Sequence, residues 1–448
     1  MASELRTIAR HAGTIWIGQI AVMAFGITDT IVAGRYSQEA LAALSVGSAV
    51  FISIFVATMG VLQVLLPVWA ELHGAGRRHE LGRSVRQALY LAALATIVGI
   101  AGLLFPGFLL DATGVPEELQ GEVRRYLAVL ALALPPALLF RMYGTLNQSL
   151  GKPQLVTWLQ TASLTAKIPL TIWFAFGGAG LPAMGVVGCA WASVVVNYVF
   201  LGLAIWLLRT DAMYAPYAIW RRMEPPDWPA IAHFARMGIP AGLAIMVEVT
   251  SFTLMALFIA RQGTLAAAAH QIASNLAAVL YMMPLSTAIS TSSRVSYWLG
   301  AGDPKRARAC IRTGFKLGLS LALGAGLVVW LANDLIARIY SSDAQVAALA
   351  AGLLAWLAVY HVGDAIQALC VFVLRCYRVA VAPLVAYCVL LWGVGLAGGF
   401  VLAYQGLGPW PAQQSPAAFW IAAAFALGLL AIILPLILWR AVRAYRPA

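Results

Sequence analysis

The sequence predicts an all-α polytopic membrane protein, with twelve transmembrane helices in two six-helix lobes related by a pseudo-twofold along the membrane normal. Three observations carry that expectation. The 448 residues are 62% hydrophobic and only 10% charged, with a mean hydropathy of +0.85, whereas a soluble domain is about 25% charged. Apolar runs repeatedly reach the roughly 20 residues needed to cross a bilayer as helix. Transmembrane β-strands would instead show as roughly 10-residue alternating segments, and none is present. Finally, the sequence on one side of a long polar link echoes the sequence on the other.

The spans fall at 13–33, 46–69, 88–110, 127–147, 155–176 and 184–207, then 237–260, 272–293, 315–332, 348–374, 384–404 and 418–439. Basic residues collect in alternate links. They are Arg6 and Arg10 before span 1, Arg77, Arg78, Arg83 and Arg86 after span 2, and Lys152 after span 4. Arg209, Arg221, Arg222 and Arg236 follow span 6, and Lys305, Arg306, Arg308, Arg312 and Lys316 follow span 8. Arg375 and Arg378 follow span 10, and Arg440, Arg443 and Arg446 close the chain. The other links hold fewer cations, Arg35, Arg261 and Arg338 plus the mixed Glu117, Glu118, Glu122, Arg124, Arg125 segment. The positive-inside rule then places both termini in the cytoplasm of a cell inner membrane. No cleaved signal peptide is expected, because "MASELRTIARHAG" runs into a long span without a clear small-residue cleavage site.

The polar stretch "RTDAMYAPYAIWRRMEPPDWPAIAHF" divides the chain into an N-terminal lobe (1–210), a linker (211–236) and a C-terminal lobe (237–448). "ELHGAGRRHELGRSVRQAL" after span 2 matches "YWLGAGDPKRARACIRTGF" after span 8 in placing GAG before a basic helical segment. Internal repeats of this kind are common in transporters. Six spans per half give both halves one orientation, which puts the axis along the membrane normal.

Several function classes are excluded. The net charge of +12 sits in the links and is not a nucleic-acid footprint. Cys189, Cys310, Cys370, Cys376 and Cys388 form no CxxC pair and read as small buried residues. No G-x-x-x-x-G-K-[ST] segment or zinc-peptidase pattern occurs, and the links are too short for an ATPase domain. No cofactor and no ATP-binding subunit are expected; an ion gradient is the preferred energy source, and a monomer the expected state.

Four ionisable residues fall well inside spans: Asp29, Lys167, Glu248 and Asp364. An Asp or Lys at a helix centre costs roughly 2.5–3.5 kcal/mol on insertion scales, which is tolerable beside a wet cavity or a partner. Glu248 lies at the midpoint of "GIPAGLAIMVEVTSFTLMALFIA", residues 238–260. It reads as a reversibly charged group or as a polar pin between helices. His361, Asp364 and Gln367 recur every three residues and gather on one helix face. His361 titrates near neutrality if wet and is otherwise a neutral hydrogen-bonded ring. Asp29, flanked by Thr28 and Thr30, is a second coupling candidate or a helix-end contact for Arg35. Lys167 has three readings: pairing with Asp29, repelling a cationic substrate, or contacting a backbone carbonyl. Pro135, Pro136, Pro240 and Pro284 in or beside spans can kink helices. Met246, Tyr281 and Met282 read as helix packing or as a lining for flat organic cations.

At "GITDTIVAG" (26–34), "LPVWAELHGAGRRHE" (66–80), "GVVGCAWA" (185–192), "GIPAGLAIMVEVTSF" (238–252), "AAHQIASN" (268–275) and "DAIQALCVFVLRCYR" (364–378), the chain resembles the multidrug and toxic compound extrusion (MATE) family, nearest its NorM-type branch. The resemblance runs over nearly the whole chain. It implies two six-helix lobes around a central cleft and export of organic cations in exchange for Na⁺ or H⁺. It also implies a second-lobe cation site at Glu248 and Asp364, which would be the metal ligands if the ion is Na⁺, and a first-lobe coupling residue at Asp29. In span 5 the chain departs from the family's "N-x-P-L-N" pattern. It reads "KIPLT", with Lys167 and Thr171 where asparagines are expected. An ammonium there would compete with a metal ion.

The expected function is therefore a secondary active antiporter exporting amphipathic organic cations across the lipid bilayer. A flippase for a lipid-linked precursor is the first rival. It would favour a basic cleft, but the buried set holds three carboxylates and one lysine. An enzyme or scaffold is the second, and no clustered catalytic set stands out for it.

Overall fold

The fold is that of a computed structural model describing residues 2–107, 117–178, 180–406, 408–409 and 411–445. The last residues of the third expected span (108–110), the Glu118 side chain and Arg446 lie outside the described residues. The described residues form twelve long helices. They are α1 (Ala2–Tyr36), α2 (Gln38–Gly74, broken at Val64), α3 (Arg78–Leu104), α4 (Glu117–Ser149), α5 (Pro153–Phe176) and α6 (Val186–Thr210). After them come α7 (Trp228–Ala260), α8 (Thr264–Gly300), α9 (Pro304–Leu331), α10 (Ala344–Cys376), α11 (Val381–Gln405) and α12 (Pro416–Ala444). Eleven are long and apolar enough to cross a membrane. The other is α5, whose Gln160, Thr161, Ser163, Thr165 and Lys167 dilute its hydropathy.

The repeat seen in the sequence is visible in the backbone. After α2, the N–H groups of Ala75, Gly76 and Arg77 bond to the carbonyls of Glu71, His73 and Leu72. After α8, those of Ala301, Gly302 and Asp303 bond to Tyr297, Leu299 and Trp298, at the same offsets. The turn after α4 repeats the pattern through Leu150, Gly151 and Lys152. Gly76, Gly151 and Gly302 have φ of 71°, 70° and 74°, the left-handed cap that glycine adopts without a Cβ clash. After α10 the left-handed position is held by Arg378, at φ 63°, and Val379 N–H still bonds to the Leu374 carbonyl.

The chain packs as two compact units, Ile17–Gly242 and Met1–Trp16 with Leu243–Ala448. The expected boundaries 1–210 and 237–448 do not provide for the first residues grouping with the C-terminal half. An ionic contact joins the two segments of that unit. Arg294 on α8 donates to both Glu4 oxygens, Nε at 3.0 Å and Nη2 at 2.6 Å, and the Trp298 indole N–H adds a bond at 3.1 Å. The core of this unit centres on Leu353, Leu354, Phe419 and Trp420. The core of the other centres on Leu62, Trp69, Leu127 and Leu134.

In the Ile17–Gly242 unit, the polar link beyond α6 is strapped to α3. Arg86 grips Glu224 through Nε at 2.7 Å and Nη2 at 2.5 Å, and donates to the Ala218 carbonyl at 2.7 Å. Gln87 donates to the Pro225 carbonyl and accepts from Asp227 N–H, and the Tyr90 hydroxyl donates to the Glu224 carbonyl. The strap lies so close that a Cβ on Gly82 would sit 1.8 Å from the Tyr217 carbonyl oxygen. Only glycine fits there.

Candidate functional site

Glu248 is carried by α7, an amphipathic-poor helix whose apolar residues face all round, so its carboxylate needs a polar partner within the protein. The partner comes from α10. Gln367 Nε2 donates to Glu248 Oε1 at 3.2 Å and to Asp364 Oδ1 at 2.9 Å. One amide thus spans two carboxylates, and both its protons are used. Its carbonyl oxygen, Oε1, is buried and has no hydrogen-bond partner among the described residues. Asp364 and Gln367 are 4% and 1% exposed, while Glu248 is half-buried and borders a cavity.

That cavity measures about 30 Å³, enough for a water-sized occupant. Phe252, Tyr360 and Trp420 wall it, each pair meeting edge-on with centroids 5.7–6.3 Å apart. Gly395 and Leu396 of α11 close another side, within a π-helical stretch at Cys388–Ala397. Wide turns of this kind recur at functional sites. Arg375, on α10 with Asp364 and Gln367, is buried with its guanidinium 4.6 Å from the centre of the Phe372 ring. Two carboxylates facing one site repel each other when both are charged. A cation beside them relieves that repulsion, and oxygen donors of this set suit a hard ion or a proton.

The structure places the remaining sequence candidates as follows. Tyr281 on α8 is half-buried and does not line the cavity. His361 is 1% exposed on the stripe with Asp364 and Gln367, and its Nε2 has no partner among the described residues. Met246 and Met282 are half-buried and do not line the cavity. Their carbonyls accept from Thr250 and Ser286. Tyr360 and Trp420 were not legible in the sequence as cavity walls. Trp420 donates through Nε1 to His270 Nδ1 at 3.3 Å, and His270 Nε2 meets the Ser274 hydroxyl at 3.1 Å.

In the other unit the structure chooses among the readings of Lys167. Its ammonium lies 2.8 Å from Asp29 Oδ1 and donates to Oδ2 at 3.1 Å, to the Cys189 carbonyl at 3.0 Å and to the Ser193 hydroxyl at 2.6 Å. Pairing and a carbonyl contact hold together. Lys167 and Thr171 are wholly buried. Asp29 is paired with Lys167, not with the exposed Arg35.

Among the described residues, twelve long helices that bury carboxylates within apolar spans define a polytopic helical membrane protein. The chain belongs to the MatE family, whose profile matches residues 15–173 and 240–401. It is 36% identical over 425 residues to the probable multidrug resistance protein NorM of Aromatoleum aromaticum, covering 94% of this chain and 91% of that one. It is 32% identical over 446 residues to the multidrug resistance protein PmpM of Pseudomonas aeruginosa, covering 99% and 93%. In fold it is similar to the eukaryotic MATE transporter AtDTX14, with a TM-score of 0.86 at 20% identity, over 99% of this chain and 98% of that one. It is also similar to the MATE transporter VcmN of Vibrio cholerae in the bent form, with a TM-score of 0.86 at 17% identity, over 99% and 98%.

Proposed function

We propose that the protein exports amphipathic organic cations from the cell in exchange for Na⁺ or H⁺, with Glu248 and Asp364 as the ion-exchange pair. It would work as a monomer in the cell inner membrane, with both termini in the cytoplasm. The multidrug names of its relatives support the substrate class. One observation carries the site: a single buried amide, Gln367, bridges two carboxylates and keeps an unused carbonyl oxygen beside them. This arrangement is stable with one negative charge and strained with two. An entering cation or proton is therefore held there, and drug release follows if ion and drug disfavour each other in the releasing state. In the Na⁺ case Glu248 and Asp364 would be the metal ligands, with Gln367 Oε1 as a further oxygen.

The test is efflux of a fluorescent organic cation from proteoliposomes under imposed Na⁺ or H⁺ gradients. Glu248→Gln and Asp364→Asn are expected to lose gradient-driven efflux by roughly tenfold or more, in keeping with typical coupling energies. Undiminished efflux in both variants would remove the pair from the mechanism. The ion whose gradient drives the parent identifies the coupling species.

A further inference from the structure

The exchange cycle above makes no use of the ion pair buried in the Ile17–Gly242 unit. Lys167 is 0% exposed, and four oxygens lie within 3.1 Å of its Nζ: both of Asp29, the Cys189 carbonyl and the Ser193 hydroxyl. An ammonium offers three protons and no acceptor, so this shell meets its whole bonding capacity. The Thr171 hydroxyl, also wholly buried, is within reach of Asp29 yet makes no well-formed hydrogen bond. The Phe25 ring lies 6.0 Å away, at the limit of a cation–π contact. Carboxylate, carbonyl and hydroxyl oxygens around one positive centre are the donors a hard metal cation takes.

We propose that Lys167 is the tethered occupant of a monovalent-cation cage. Its ammonium fills the position a free ion would take and keeps Asp29 out of ion exchange. Two physical reasons make the occupant permanent. The ammonium is covalently attached, so its local concentration is fixed by the tether and does not fall with the outside ion concentration. A free ion that displaced it would leave either a second buried positive charge without a partner, which costs several kcal/mol, or an amine stripped of its proton and its hydrogen bonds. The consequence rests on the exchange reading above: ions are then taken at Glu248 and Asp364 alone. A purely structural pair between α1, α5 and α6 has the same contacts but predicts a different result when the lysine is cut back. It leaves a collapsed or protonated gap, whereas a cage binds an ion.

The cage is tested in a Glu248→Gln/Asp364→Asn background, so the result does not depend on whether that pair exchanges ions. Binding of radioactive Na⁺ to the purified protein is measured in mildly alkaline buffer. With Lys167 present, no Na⁺ is expected in the Ile17–Gly242 unit. Lys167→Ser is expected to take up one Na⁺ per chain, and Asp29→Asn/Lys167→Ser to lose it again. Absence of Na⁺ binding in a monodisperse Lys167→Ser protein overturns the proposal. So does Na⁺ binding with Lys167 intact that Asp29→Asn abolishes. A second measurement serves if Lys167→Ser folds poorly. The melting temperature of Lys167→Ala is expected to rise with Na⁺ or methylammonium and not with N-methylglucamine, which is too large for the cage. Equal response to all three, or to none, overturns the proposal.

Discussion

At the residue scale, burial makes each charge depend on a named neighbour. Lys167 and Asp29 are the clearest instance, since the lysine is wholly buried and the aspartate nearly so. Removing one partner of a buried pair strands the other charge, which destabilises by about 3–5 kcal/mol, while replacing both with apolar groups is often neutral. Asp29→Asn is therefore expected to lower the melting temperature of the detergent-solubilised protein strongly. Asp29→Asn/Lys167→Met is expected to recover most of the loss. If the double variant melts no higher than the single, the pair is not the source of the effect. Gln367 is the other decisive residue. Its amide protons are divided between Glu248 and Asp364. Which residues were candidates was legible from their depth in apolar spans. Which partner each took was not, because Lys167 and Asp29 are 138 positions apart and Gln367 and Glu248 are 119.

At the element scale, the strap between α6 and α7 is held by charge. The Arg86 guanidinium donates to the Glu224 carboxylate and holds it below its ordinary value of 4.5. A carboxylate lowered in the folded state contributes stability that is present above that ordinary value and is lost as pH falls through the folded value. Attachment of the strap is thus expected to be constant at neutral pH and to weaken only in strong acid, below 4.5. Limited proteolysis of the link at graded pH reads this directly. Glu224→Gln is expected to be cut several-fold faster at neutral pH and to lose the acid dependence. Equal cutting of parent and variant would assign the attachment to Gln87 and Tyr90 instead. The repeated cap after α2, α4 and α8 belongs to this scale too. It was half legible. The two GAG segments marked two of the turns, but neither Gly151 nor the left-handed Arg378 carried that motif.

At the scale of the whole molecule, the number of crossings fixes the topology. Eleven helices pass on length and hydropathy, and α5 is the one whose crossing depends on tertiary contacts. An isolated lysine at the centre of a span costs roughly 2.5–3.5 kcal/mol on insertion scales. Lys167 avoids much of that cost by meeting Asp29, Cys189 and Ser193 inside the unit. Twelve crossings put both termini on one face of the membrane, and eleven would put them on opposite faces. Reporter fusions at the two ends of the full chain are expected to give the same cytoplasmic signal. Opposite signals would show that α5 does not cross.

The sequence by itself determined that this is a polytopic helical membrane protein with an internal repeat, and that four charges lie inside its apolar spans. Those properties are local. Hydropathy, helical period and turn glycines are written in consecutive residues and need no partner to be read. Only the tertiary structure decided that Gln367 joins Glu248 to Asp364, that Tyr360 and Trp420 wall the space beside them, and that Asp29, Cys189 and Ser193 form an oxygen shell around the Lys167 ammonium. Those pairings depend on how helices far apart in the chain pack. In a membrane a buried charge must find some partner, and which one it finds is set by that packing.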